Sequence, residues 1–108
     1  MRNNRPLVLL ILACCLAQPA FGAKVFGIPD CGEWVRNSRE RPADRAWLLG
    51  YVSGISFMHE IFGKTDDPLG KLSSANQVYV WMDNYCQKNP LKNVADGAEA
   101  LFVELRQK

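Results

Sequence analysis

The sequence predicts an all-α fold: a small four-helix domain with one disulfide. Apolar residues recur at helical spacing in three stretches of the chain, cap and stop signals bracket those stretches, and two cysteines remain once an amino-terminal leader is set aside. No stretch reads as a convincing strand, and no repeat or low-complexity segment is present.

The leader comes first in chain order. Arg2 and Arg5 precede an unbroken apolar run from Leu7 to Leu16, and small residues follow at Ala20 and Gly22. This is the pattern of a secretory signal peptide cleaved between Gly22 and Ala23. The expected organisation is residues 1–22 as signal peptide and residues 23–108 as one helical domain. The run falls short of the roughly 20 apolar residues that span a bilayer, so no stable membrane anchor is expected after cleavage. Two alternatives stay open: a retained anchor, and lipoprotein-type processing at Ile11-Leu12-Ala13-Cys14, which Leu12 fits poorly.

Cleavage changes the charge. Arg2 and Arg5 leave with the leader, so the 13 Lys and Arg fall to 11 against 11 Asp and Glu, a formal net charge of zero. The charges are mixed along the chain, as on solvated helix faces, and a nucleic-acid partner is not expected. Cys14 and Cys15 are lost as well. Cys31 and Cys86 remain, either as one bridge in an oxidising compartment or as two free thiols.

In the mature chain, Lys24 to Ile28 reads as a short extended arm. Asp30 caps a short first helix and Glu33 completes a capping-box pattern, with Cys31, Trp34 and Val35 on one face. That helix fades in the charged run Arg36 to Arg41 and stops before Pro42. The second helix is expected from about Ala43 to Phe62, stopped by Gly63, with an apolar stripe of Trp47, Leu48, Tyr51, Val52, Ile55, Met58, His59 and Phe62. Gly50 and Gly54 lie four apart within it and predict close approach of another helix; a partner groove or a self-association surface is the alternative. Gly63 to Leu72 is expected as a loop, with Asp66-Asp67-Pro68 and Gly70 as turn formers. Ser74 and Gln77 form a helix cap for the third helix, whose buried face is Val78, Trp81, Met82, Tyr85 and Cys86. Asn89-Pro90 ends it. Asn93, or a residue beside it, starts the last helix, where Val94, Ala98, Leu101, Phe102 and Leu105 keep helical period.

The chemistry on offer is sparse. Ser56 and His59 could be drawn as a nucleophile and base, but no strained nucleophile turn or glycine-rich oxyanion loop accompanies them. One histidine cannot build a usual zinc site once both cysteines are oxidised. Asp66-Asp67 lacks the alternating acidic positions of a calcium loop and reads as a solvated turn. Asp83-Asn84, on the side of the third helix away from the cysteine face or at its border, reads as solvent-facing, with a partner-binding surface as the alternative. No catalytic residue, metal ligand or cofactor is expected, and the chain is read as a non-enzyme.

Three landmarks stand in order: Gly50-Tyr51-x-x-Gly54, then Ser74-x-x-Gln77, then Tyr85-Cys86-x-x-Asn89-Pro90, closed by an Ala- and Leu-rich helix. This order, over Cys31 to Leu105, resembles the Rap/Tai-type immunity proteins, small periplasmic helical proteins that neutralise type VI secretion effectors. The resemblance implies a periplasmic binding protein whose partner is a toxin effector. Its implied contact regions are the Asp66–Leu72 loop and the exposed parts of the helices around Tyr51 and Trp81. A looser resemblance, to HdeA-type periplasmic acid chaperones, rests on two cysteines joining early and late helices. It implies unfolded clients and opening at strongly acidic pH, where neutralised carboxylates leave 11 Lys and Arg plus His59 uncompensated. Pairing with a second copy of the chain fits either resemblance.

Overall fold

A computed structural model of the chain describes residues 24–63 and 66–108. The leader, with its expected cut between Gly22 and Ala23 and the alternative at Cys14, lies outside the described residues. Among the described residues the elements are α1 (Cys31–Asn37), α2 (Pro42–Gly63), a 3-10 turn (Pro68–Lys71), α3 (Ala75–Lys88) and α4 (Val94–Gln107). The four-helix, all-α architecture is the one the sequence predicts.

Helix α1 starts where Asp30 caps it, its carboxylate accepting the Glu33 backbone N–H at 2.8 Å. Seven residues cannot sustain a helix in water. What holds α1 is α3. Cys31 is bonded to Cys86, with their Cα atoms 4.7 Å apart. One turn on, the Trp34 indole N–H donates to the Asp83 carboxylate at 2.8 Å. Position 31 to 34 advances along α1 while 86 to 83 retreats along α3, so the two ties set the helices antiparallel.

Two expectations need correction here. Asp83 is not solvent-facing but half-buried as the acceptor for Trp34, because a buried indole N–H requires one. Val35 is 49 % exposed rather than sharing the buried face. Helix α1 packs chiefly against α3, and its covered strip is only as wide as Cys31 and Trp34.

The arm before α1 is anchored. The Val94 N–H donates to the Pro29 carbonyl at 2.9 Å and the Cys31 N–H to the Lys92 carbonyl at 3.0 Å. Asp30 and Asn93 thereby form an isolated antiparallel bridge. Further out, the Trp47 indole N–H donates to the Phe26 carbonyl at 3.0 Å. Gly27 lies beside that ring with φ +67°, the left-handed region that favours glycine.

Helix α2 opens with Pro42 at its first position, where a missing N–H costs nothing. Arg41 bridges α1 and α2 by ion pairs at 3.3 Å to both Glu33 and Asp44. The buried strip runs through Leu48, Val52 and Ser56, with Asp44 below them. It is turned round the helix from the expected stripe: Met58 is 50 % and Phe62 74 % exposed. A helix with one main neighbour covers an arc of roughly 100°, too narrow for all eight expected positions.

The close-approach expectation at Gly50 and Gly54 is also corrected. A Cβ built at either meets nothing within 4 Å, and both are exposed. Each forgoes about 0.5–1 kcal/mol of helix stability relative to alanine without making room for any other part of the fold.

Helix α3 begins as expected. The Gln77 side-chain oxygen accepts the backbone N–H of Ser73 at 2.6 Å and of Ser74 at 3.4 Å. Val78, Met82 and Cys86 are buried at steps of one turn, with Trp81 and Tyr85 half-buried beside them. Asn89 caps the far end, its N–H reaching the Tyr85 carbonyl at 2.9 Å.

Helix α4 is the centre of the domain, packing on α2, α3 and the 3-10 turn. Asn93 and Asp96 cap it reciprocally at 2.9 and 3.3 Å. The tight crossing falls at Gly97. A Cβ there would sit 2.6 Å from the Met82 sulfur and 2.8 Å from both Met82 Cε and Tyr85 Cδ1.

Two outcomes follow from this packing. Replacing both Cys31 and Cys86 by serine removes a cross-link over 55 residues. Loop entropy sets the loss at about 4 kcal/mol, to be measured as a fall in the urea midpoint. Gly97→Ala forces the fully buried Met82 aside. It should lower stability by about 1–3 kcal/mol, read from thermal unfolding.

Candidate protein-binding face

Burial of one side of α4 dictates what its other side displays. Val94, Ala98, Leu101 and Leu105 turn inward. Asp96, Glu99 and Glu104 are left at or near the surface. On one flank, the Tyr51 hydroxyl of α2 donates to the Glu99 carboxylate at 2.8 Å. Tyr51 stacks on Trp47, their ring centroids 4.9 Å apart and nearly parallel. On the other flank, the Trp81 indole N–H of α3 donates to the Glu104 carboxylate at 2.9 Å. Trp81 stacks on Tyr85 with a centroid distance of 5.3 Å. Two Trp–Tyr pairs, from two different helices, thus bracket α4 and are tethered to its carboxylates.

Beside Trp81 the surface dips into an open depression of about 500 Å³, walled by Tyr85, Asn84, Lys88, Asn89 and Glu104. A second, mostly apolar hollow of about 360 Å³ adjoins it across Trp81, with Val80 and Gln77 in its wall. The ring of Trp81 therefore forms a ridge between two recesses.

The electrostatics follow from the carboxylates. Partial burial first, then the hydrogen bond to Glu99 and the charges of Glu99 and Asp96, push the Tyr51 phenol from 10.0 up to about 12. Burial and the same two carboxylates raise Tyr85 as well. Glu104 is held below the usual carboxylate range by its hydrogen bonds from Lys108 and Trp81. The ledge is aromatic, acidic and braced.

Of the residues singled out from sequence, Tyr51 belongs to this ledge. Gly50 and Gly54 do not pack inward; they open to solvent on α2. Ser74 and Gln77 act at the start of α3, and Cys31 and Cys86 lie in the core. Ser56 and His59 are engaged in packing contacts. The Ser56 hydroxyl donates to Asp67, and His59 meets the Phe102 ring edge-on at 5.3 Å. Asp67 also accepts the Leu69 N–H at 2.9 Å and so caps the 3-10 turn, while Asp66 and Asp67 both stay exposed as expected of a solvated turn. Among the described residues, no three His, Cys, Asp or Glu side chains gather to hold a metal ion.

Sequence reasoning missed Asp96, Glu99 and Glu104. For Glu104 a signal was present: Trp81 carries an N–H that seeks an acceptor when covered. Which acceptor answers is a matter of packing.

No family model, no curated protein and no solved structure matches this chain.

The Tyr51 shift has a measurable consequence. A raised folded-state value favours the neutral phenol in the fold. The stability this adds is complete below pH 10.0 and is lost as pH rises through the window up to about 12. Following phenolate absorbance during base titration, Glu99→Gln should bring the high-pH tyrosine back toward 10.0. An unchanged curve would show that the Glu99 contact does not form in solution.

Proposed function

We propose that this protein works by contact with another protein: a periplasmic, non-catalytic helical binding protein of the immunity type, masking an exported effector. The observation that carries this reading is the pair of stacked Trp–Tyr couples braced across α4. The few residues that carry most of the binding energy at interfaces are enriched in Trp and Tyr, together with Arg. Here both couples are held by stacking and by hydrogen bonds to Glu99 and Glu104, so little side-chain freedom is left to lose on docking. Asp96 and Glu99 give the ledge negative charge, which selects a partner whose docking face is basic. Residues 1–22 would direct export and be removed as the chain crosses the membrane.

One observation favours acid-activated chaperoning as a second reading. Besides the Arg41 ion pairs, four side-chain hydrogen bonds that tie separate parts of the fold end on carboxylates: Trp34 on Asp83, Tyr51 on Glu99, Ser56 on Asp67 and Trp81 on Glu104. Protonation weakens all four acceptors together, while the Lys and Arg charges remain and repel.

The test is a search for an effector gene beside its own, followed by calorimetric titration of the processed protein with that gene's product; the absence of such a gene counts against the immunity reading. Trp81→Ala should weaken binding by about 2 kcal/mol, roughly 30-fold, and Glu99→Lys by a comparable amount. No heat of binding from a folded protein sinks the immunity reading. Apolar-dye binding and client protection in strong acid decide the second reading. A domain that stays closed there, or opens without protecting clients, removes it.

A further inference from the structure

We propose that the outward face of α2 is a self-association surface, through which two copies of the chain pair antiparallel about a two-fold axis near Gly54. This pairing does not rest on the partner reading above.

The face is unlike that of an ordinary surface helix. Between Ala46 and Ile61 the only acidic or basic residue apart from His59 is Glu60. The positions turned away from the core, Ala43, Ala46, Gly50, Gly54, Phe57 and Ile61, recur at steps of three and four and are all exposed. A surface helix normally carries its charges on this side. Among the described residues no helix is long and apolar enough to cross a membrane, so a bilayer span does not account for the pattern.

The face is also graded. Its amino-terminal half is built of Ala and Gly, with open space above Gly50 and Gly54. Its carboxy-terminal half carries Phe57, Met58, Ile61 and Phe62, which are 61 %, 50 %, 49 % and 74 % exposed. With a second copy running antiparallel through Gly54, Met58 of one chain comes level with Gly50 of the other, and Phe62 with Ala46. The bulky half of each copy then fills the bare half of its partner. A single helix that supplies both knobs and hollows is self-complementary, which is the requirement of a two-fold contact. A different partner would need only one of the two halves.

The area is sufficient. At those exposures the four bulky side chains offer on the order of 400 Å² per copy, taking about 200 Å² for a full aromatic side chain. Adding the small-residue surface they cover brings a two-fold contact to roughly 1,200 Å² in total, the lower edge of stable interfaces. Helix α2, with 22 residues, is about 33 Å long and provides the length for it.

Sedimentation equilibrium on the protein as the cell processes it provides the test. The expected result is twice the single-chain mass at high concentration, falling toward one chain on dilution. Gly54→Arg, and separately Phe57→Glu, should give the single-chain mass at every concentration with helix content unchanged by circular dichroism. Both positions are exposed, so either variant serves if the other folds poorly. Val103→Arg, at an exposed site on α4, should leave the pairing intact. A single-chain mass for the unsubstituted protein overturns the proposal and leaves this face to an unrelated protein or a lipid surface. A double mass that survives both Gly54→Arg and Phe57→Glu overturns it too.

Discussion

The antiparallel tie between α1 and α3 is the constraint on which the rest of the structure hangs. A seven-residue helix has no stability of its own, yet its first residue is covalently fixed to Cys86 and its fourth is hydrogen-bonded to Asp83. Once Cys31 is placed, its N–H meets the Lys92 carbonyl and Pro29 receives the Val94 N–H. The beginning of the described chain is thus joined to the turn between α3 and α4. The disulfide limits the unfolded chain, and the bonds around it convert that limit into a defined geometry.

That geometry delivers α4 into the middle of the domain. The α3–α4 crossing is close enough that only a hydrogen fits at Gly97, between Met82 and Tyr85. The covered side of α4 takes the apolar residues, and the remaining carboxylates become acceptors for rings on both flanking helices. All three tryptophan N–H groups find partners far along the chain: Asp83, the Phe26 carbonyl and Glu104. The aromatic ledge is therefore a by-product of core packing. Its rings are held by the same contacts that close the domain, and for that reason it is rigid before anything docks.

Helix α2 shows the other consequence of a small core. Its main neighbour is α4, so its covered strip is narrow and much of its apolar surface stays outside. The domain thus presents two surfaces of different chemistry: an acidic, aromatic ledge around α4 and a nearly charge-free, graded face on α2. On the readings proposed above, the first would take a charged partner and the second an identical one.

The helices and their caps were legible in the sequence because the physics behind them is local, and the cysteine pair because only Cys31 and Cys86 remain once the leader is set aside. Asp30, Ser74 with Gln77, and Asn93 act on backbone within three or four residues, and apolar period reports which side of a helix is covered. Only the tertiary structure decided the centre of the buried strip on α2, the role of Asp83, and the pairing of Tyr51 with Glu99 and of Trp81 with Glu104. It also decided that Gly97, rather than Gly50 or Gly54, marks the close crossing. These pairings join residues 23 to 49 positions apart. Such partners are set by the angle and depth at which helices cross, quantities that no single helix carries in its own sequence.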